Sequence, residues 1–309
     1  MTEAILFPHL GIKLTHVGKA ISIFGFEITF YGIIIGLALL AGVGIVLLEV
    51  NYKRKNTEEY LNYIILAVIS GILGSRLYYV MFSMGIYKDH LSSIFNIRKG
   101  GMEFFGGLIT LIIVTLIYSF LKNESAGTIL DIMTGGILVF QIISCLGDFF
   151  NREAFGEYTE NVFAMKIPID SVRTTDVTDR MRNHIDMMDG VRFIQVHPTF
   201  LYEMLWCTGL LIILLIYRQF QKSEGELFLI YLMGYGIGRF WIEALRTDAL
   251  RFWGSDVRIT GVLCIVTSAV ALVVMIYIRF NGDHRKYRKI RSSDEHNLLH
   301  VTTRFFHRK

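Results

Sequence analysis

The 309-residue chain is poor in proline, cysteine and charge: it has three Pro, three Cys and 19% Asp, Glu, Lys and Arg, against 53% AVILMFWYC. With proline confined to Pro8, Pro168 and Pro198, helices can run unbroken over long stretches. Cys145, Cys207 and Cys264 each sit inside an apolar run with no CxxC or His spacing, which excludes a disulfide scaffold and reads as small buried side chains. Soluble chains carry about 25% charged residues, so this deficit, with a mean hydropathy of +0.47, places most of the chain in lipid. Intrinsic disorder and collagen-like repeats are excluded on the same grounds. A net charge of +4 gives no reason to expect a nucleic-acid partner. No HExxH, GxSxG or Walker motif and no metal-spaced His pair occurs, which argues against a zinc hydrolase, a serine hydrolase or a nucleotide-driven pump. No metal and no cofactor is expected.

Apolar runs are what the chain has in abundance. A helix needs about 20 residues to cross about 30 Å of hydrocarbon, and windows of that kind fall near 28–48, 60–82, 104–121, 128–150, 199–217, 226–245 and 260–278. The expected fold is an all-α integral membrane protein with seven transmembrane helices over residues 1–278. The first 27 residues lack a secretory signal's charged region and cleavage site, so the first span is expected to be retained. The 46-residue segment 151–196 is too long for a turn and reads as an extracytoplasmic cap with short elements of its own. Residues 279–309 read as a basic cytoplasmic tail, either a lipid-headgroup contact or a solvated anchor. Connections 49–59, 122–127, 218–225 and the tail hold 15 Lys and Arg in 56 residues, against 14 in 108 for the others. That density puts the N-terminus outside and the C-terminus in the cytoplasm, in a multi-pass protein.

An ionisable side chain at membrane depth is costly and faces the bundle interior or an aqueous cavity, so function is sought there. These positions are Tyr31, Arg76, Asp148, Glu203, Arg239 and Glu243, flanked by Asn151, Arg152, Glu153, His197 and Arg246. With the N-terminus outside they converge on the outer side of the membrane. Tyr235, Arg239, Glu243 and Arg246 follow i, i+4, i+8 and i+11 spacing on one helix stripe. The stripe is either a structural ion-pair ladder or leaves a guanidinium to fork a phosphate. Gly106 and Gly107, beside Glu103, and Gly156, beyond Asn151, permit either close backbone approach to a ligand or close helix packing. The polar set suits a phosphate-bearing lipid and a proton transfer.

The segments FYGIIIGL at 30–37, GILGSRLYYVMF at 71–82, GGMEFFGGLI at 100–109, LGDFFNREAFG at 146–156, HPTFLYE at 197–203 and GYGIGRFWIEALRTD at 234–248 together resemble the prolipoprotein diacylglyceryl transferases of bacterial plasma membranes. The resemblance implies transfer of the diacylglyceryl group of phosphatidylglycerol to the lipobox Cys of a prolipoprotein signal peptide, in the lipid bilayer, releasing glycerol 1-phosphate. Positions matching the family's pattern include Tyr31, Arg76, Asn151, Glu153, Gly156, His197, Tyr202, Glu203, Tyr235, Arg239, Glu243 and Arg246. Departures are Phe105 in place of a His, Cys145 in place of an Arg and Asp148 in place of an Asn. On this reading Arg239 is the first candidate for the phosphate contact, Arg76 and Arg246 follow, and Arg152 can replace the Arg missing at position 145. His197 and Glu103 are the candidate bases. The alternatives are a related membrane protein acting on another lipid or acceptor, and a catalytically silent lipid-binding scaffold.

Overall fold

The computed structural model describes residues 4–87, 91–96, 100–252 and 257–281. Most of the chain is helical. Seven long helices follow one another: α1 (Phe30–Tyr52), α2 (Thr57–Phe82), α3 (Phe104–Lys122), α4 (Ala126–Asn151), α5 (Thr199–Tyr217), α6 (Glu226–Leu245) and α7 (Ile259–Asn281). All but α6 are long and apolar enough to cross a membrane. α6 has the length, 20 residues, but carries Glu226, Arg239 and Glu243. Residues 282–309, and with them nearly all of the expected basic tail, lie outside the described residues.

Helix boundaries follow from local chemistry. Thr29 accepts the Gly32 amide at the start of α1, and Asn56 accepts the amides of Glu58 and Glu59 at the start of α2, so amides without an intrahelical partner are satisfied. Within lipid the helices gain no hydrophobic drive from touching, so close packing rests on small residues. Gly42 of α1 meets Gly136 of α4 so closely that a Cβ on Gly42 would lie 2.8 Å from the Gly136 carbonyl oxygen. The bundle core gathers Val50, Tyr63, Ile129, Leu138, Cys207 and Tyr231.

Outside the bundle the chain turns to β-structure. Strands β1 (Ile5–Phe7), β2 (Ile12–Leu14), β5 (Met165–Pro168), β6 (Asp186–Met188) and β7 (Val191–Val196) form an antiparallel sheet in the order β2-β1-β5-β7-β6, while β3 (Ala20–Ile23) and β4 (Phe26–Thr29) form a hairpin before α1. Two sheet strands thus come from the first 27 residues, an addition to the expected helices that the sequence reading did not contain. Side chains alternate as the pleat requires: Ile5, Ile167 and Ile194 pack with Cys145, Phe155 and Phe200, whereas Leu6 and Phe193 share the opposite face. The sheet is therefore cored by residues of α4 and α5. Segment 154–157 fastens it further: Gly156 N donates to His197 O (2.9 Å), Glu157 N to Leu245 O (3.0 Å) and Phe200 N to Ala154 O (3.2 Å). The sheet defines one end of the bundle, where α1, α3, α5 and α7 begin and α2, α4 and α6 finish.

Candidate active site

Near the sheet end one guanidinium meets three carboxylates. Arg239, 6% exposed, pairs through Nη1 with Glu203 (2.5 Å) and through Nη2 with Glu243 (3.3 Å) and Glu103 (3.9 Å). Tyr235, one turn before it, donates its hydroxyl to the other oxygen of Glu203 at 3.2 Å. Helical spacing puts Tyr235, Arg239 and Glu243 on one stripe, and α5 and the start of α3 bring Glu203 and Glu103 to it. Among the described residues, Arg239 Nε and the Tyr78 hydroxyl are buried without a hydrogen-bond partner, and Glu243 Oε2 has only its 3.3 Å ion pair with Arg239 Nη2. One guanidinium thus faces three carboxylates, so acid is in excess over the cation they share. Glu103, just outside the helix it caps, is raised from its ordinary 4.5 to about 7, by burial first; Arg239 works against the rise and Glu243 adds to it.

The positions that depart from the family pattern lie around this cluster. Phe105, 1% exposed, packs on the Tyr235 ring at 5.9 Å between centroids. Cys145 is buried within electrostatic reach of Glu203, Asp148 and Arg239. Asp148 feels Arg246, Glu203, Glu153 and Arg239, and no hydrogen bond to its carboxylate forms among the described residues. The Tyr31 ring lies against Gly147, the neighbour of Asp148.

Other candidates are held elsewhere. Arg76 donates to the carbonyls of Ser93, Ile94, Asn96, Gly100 and Gly101. Its guanidinium holds a loop together, and the left-handed backbone of Gly100 and Gly101 (φ 77° and 79°) helps present two of those carbonyls. Arg246 forks onto Asp248 at 2.9 and 2.8 Å. Burial acts to raise the Asp248 carboxyl, but the Arg246 charge and hydrogen bond outweigh it and hold it below its usual value. Arg258 donates to the Glu243 carbonyl and closes the same corner. Gly106 and Gly107 lie against α2, where a Cβ on Gly107 would come within 2.6 Å of Ser75 Oγ, so helix packing accounts for both. A Cβ on Gly156 would meet Leu245 O at 2.7 Å, so it is needed for the fastening of segment 154–157.

His197 does not join the Arg239 cluster. Its Nδ1 lies 3.2 Å from the Tyr202 hydroxyl, and the charges that bear on it are Arg180 and Glu157. Burial chiefly, with Arg180 next, lowers its proton affinity. Asn151, Arg152 and Glu153 line a separate cavity of about 600 Å³ with Lys19 and Arg173. There Glu153 pairs with Arg173, and Arg152 donates to Val17 O at 2.5 Å. Sequence reasoning missed Tyr78, Asp248, Arg258, Lys19 and Arg173. Tyr78 stands in the aromatic run of LYYVMF, where nothing marks it, and the others lie in connections rather than spans.

Compared with known proteins, the chain matches the family profile described as prolipoprotein diacylglyceryl transferase over residues 19–277. It is 34% identical over 261 residues to the phosphatidylglycerol–prolipoprotein diacylglyceryl transferase of Bacillus licheniformis, covering 84% of this chain and 92% of that one. The protein of the same name from Clostridioides difficile is 33% identical over 259 residues, covering 84% of this chain and 94% of that one. For that of Listeria monocytogenes serotype 4a the match is 34% over 260 residues, 84% and 89% of the two chains.

Proposed function

The chain belongs to the prolipoprotein diacylglyceryl transferase family, and from that premise we propose that it moves the diacylglyceryl group of phosphatidylglycerol onto the lipobox cysteine of a prolipoprotein. On this reading residues 1–278 form the membrane domain with seven spans, α6 being the polar one, and the sheet with segment 151–196 caps its outer face. The N-terminus lies outside the bacterial plasma membrane and the tail 279–309 lies in the cytoplasm.

The reaction forms a carbon–sulfur bond and breaks a carbon–oxygen bond. The cysteine sulfur attacks the glyceryl carbon, its proton passes to a base, and the phosphate oxygen departs with the bonding pair as glycerol 1-phosphate. A cysteine of pKa about 8.5 needs only modest help to ionise near neutrality, and a carboxyl raised to about 7 suits that task, which favours Glu103 over His197 as base. The heavier demand is charge on the leaving phosphate in a low-dielectric site, where a preaimed donor contributes about 3–4 kcal/mol.

The observation that carries the reading is the Arg239 Nε–H, buried and without an acceptor among the described residues while both Nη atoms are fixed by carboxylates. A phosphate oxygen is the acceptor that fits it. Glu203 and Glu243 hold the guanidinium, Tyr235 holds Glu203, and Asp148, with the Tyr31 ring against Gly147, lies on the side toward the sheet. Arg76 and Arg246 act by holding loop and corner. A lipid-binding scaffold without transfer is the second reading, favoured by the apolar ring of Phe105 against Tyr235.

The test is incubation of the purified protein with a lipobox peptide in vesicles of phosphatidylglycerol or of phosphatidylethanolamine, followed by the peptide mass. The expected result is a gain of one diacylglyceryl group that requires phosphatidylglycerol and disappears when the peptide's Cys is replaced by Ser. Modification from phosphatidylethanolamine alone would replace the donor, and an unmodified peptide would leave the scaffold reading.

A further inference from the structure

The cavity lined by Asn151, Arg152 and Glu153 differs from the Arg239 cluster in the sign of its charge. Three cations face it, Lys19, Arg152 and Arg173, and Glu153 is the carboxylate that answers them from within. The remaining acid on its wall, Asp170, is well exposed and pairs outward with Arg192 at 3.0 Å. Lys19 spends one hydrogen bond on Ser171 O (2.7 Å), and Arg173 holds Glu153 through one nitrogen of its fork. Burial, then the nearby Arg152, lower the proton affinity of Lys19, as expected where positive charge is in excess. The backbone on either side of Glu153 is unusual: Arg152 (φ 57°) and Ala154 (φ 51°) are both left-handed without being glycine. Arg152 is there the C-cap of α4, its amide donating to the Asp148 and Phe149 carbonyls.

The cavity opens beside Asn151, the last residue of α4, one turn from Asp148 and so next to the polar wall of the Arg239 cluster. A phosphodiester carries one negative charge, whereas a phosphomonoester approaches two, so cleavage of the diester raises the preference for a basic, water-facing site. We propose that this cavity binds the phosphomonoester released by the transfer, glycerol 1-phosphate, between Lys19 and Arg173 before it enters water. The proposal rests on the transferase reading for the identity of the ligand. The charge arrangement of the cavity stands without it.

Equilibrium binding of glycerol 1-phosphate and of inorganic phosphate to the full chain in phosphatidylglycerol-free detergent tests it, beside the KM for phosphatidylglycerol and the inhibition of transfer by added glycerol 1-phosphate. Both free phosphates should bind and compete with one another. Lys19→Gln, which leaves the Glu153–Arg173 pair in place, and Lys19→Gln with Arg173→Gln should weaken both binding and product inhibition, the double variant by about tenfold or more. The rate without added product and the KM for the lipid should stay within about twofold. Absence of binding to the unaltered chain, or equal binding to the variants, overturns the proposal. A KM for the lipid that moves in step with phosphate binding overturns it too, since the cavity would then hold the lipid headgroup. Because binding is measured without turnover, a chain that binds phosphate yet transfers nothing would fault the transferase reading alone.

Discussion

The two ends of the helix bundle treat buried acids in opposite ways. Away from the sheet, Asp131 accepts from Gln221 Nε2 (2.6 Å), Gly225 N (2.7 Å) and Phe228 N (3.0 Å). Glu226, fully buried, accepts from the Tyr217 hydroxyl (2.9 Å), Lys222 N (3.0 Å) and Arg279 Nε (3.2 Å). These two acids tie α4 and the turn between α5 and α6 to the end of α7, and their hydrogen bonds are directed at the protein itself. Toward the sheet, Tyr78 and Arg239 each keep a buried polar atom with no hydrogen-bond partner among the described residues, and three carboxylates crowd one guanidinium. Buried polar groups are ordinarily satisfied, so the first pattern marks a group that holds the fold and the second a group shaped by chemistry.

The strongest way to break this comparison is at Arg239. Arg239→Ala should lower the transfer rate about 100-fold or more, because the donor proposed for the departing phosphate is lost. Next comes Glu226→Ala, which removes the acceptor shared by Tyr217, Lys222 and Arg279. It should cost about 3 kcal/mol of stability, read as a fall in thermal midpoint, with the rate per folded molecule unchanged. A smaller effect is expected from Cys145→Arg, which sets a second guanidinium beside Glu203 and Asp148. An excess of carboxylate there should accept it, and transfer should rise about tenfold; a fall in rate would show that the cluster does not tolerate a further cation. The smallest effect sharpens the comparison through pH. The raised Glu103 carboxyl makes the native state bind its proton more tightly than the unfolded chain does. That stabilisation is present below the ordinary 4.5 and is lost as pH climbs through about 7. Glu103→Gln should flatten the thermal midpoint across this window, and a slope equal to that of the unaltered chain would remove Glu103 from the titrating cluster.

The sheet-end cluster was readable from the sequence because Arg239, Glu243 and Glu203 interrupt apolar runs, and the spacing of Tyr235, Arg239 and Glu243 fixed them to one stripe. The partners of Arg76 were not readable, since five loop carbonyls leave no mark in side-chain pattern. Asp131 and Glu226 escaped notice for another reason. Both lie near helix starts, where an acid reads as favourable to the helix dipole and exposed, and only the return of the 218–225 turn buries them. The strands showed the same limit: β1 is three residues long, and its Leu6 pairs with Lys166, a contact that local periodicity cannot contain. His197 shared a motif with Glu203 and lay near it in sequence, yet its ring meets Tyr202.

Transfer rate per folded molecule and thermal midpoint, measured side by side on Arg239→Lys and Asp131→Asn, test the division between the two ends most directly. Lysine keeps the charge that offsets the three carboxylates but lacks the fork, so Arg239→Lys should lose most of its rate and keep its midpoint. Asparagine turns an amide donor toward Gln221 and Gly225 or toward Phe228, so Asp131→Asn should lower the midpoint and keep the rate. Rate and midpoint falling together in both variants, or a full rate in Arg239→Lys, would contradict the account.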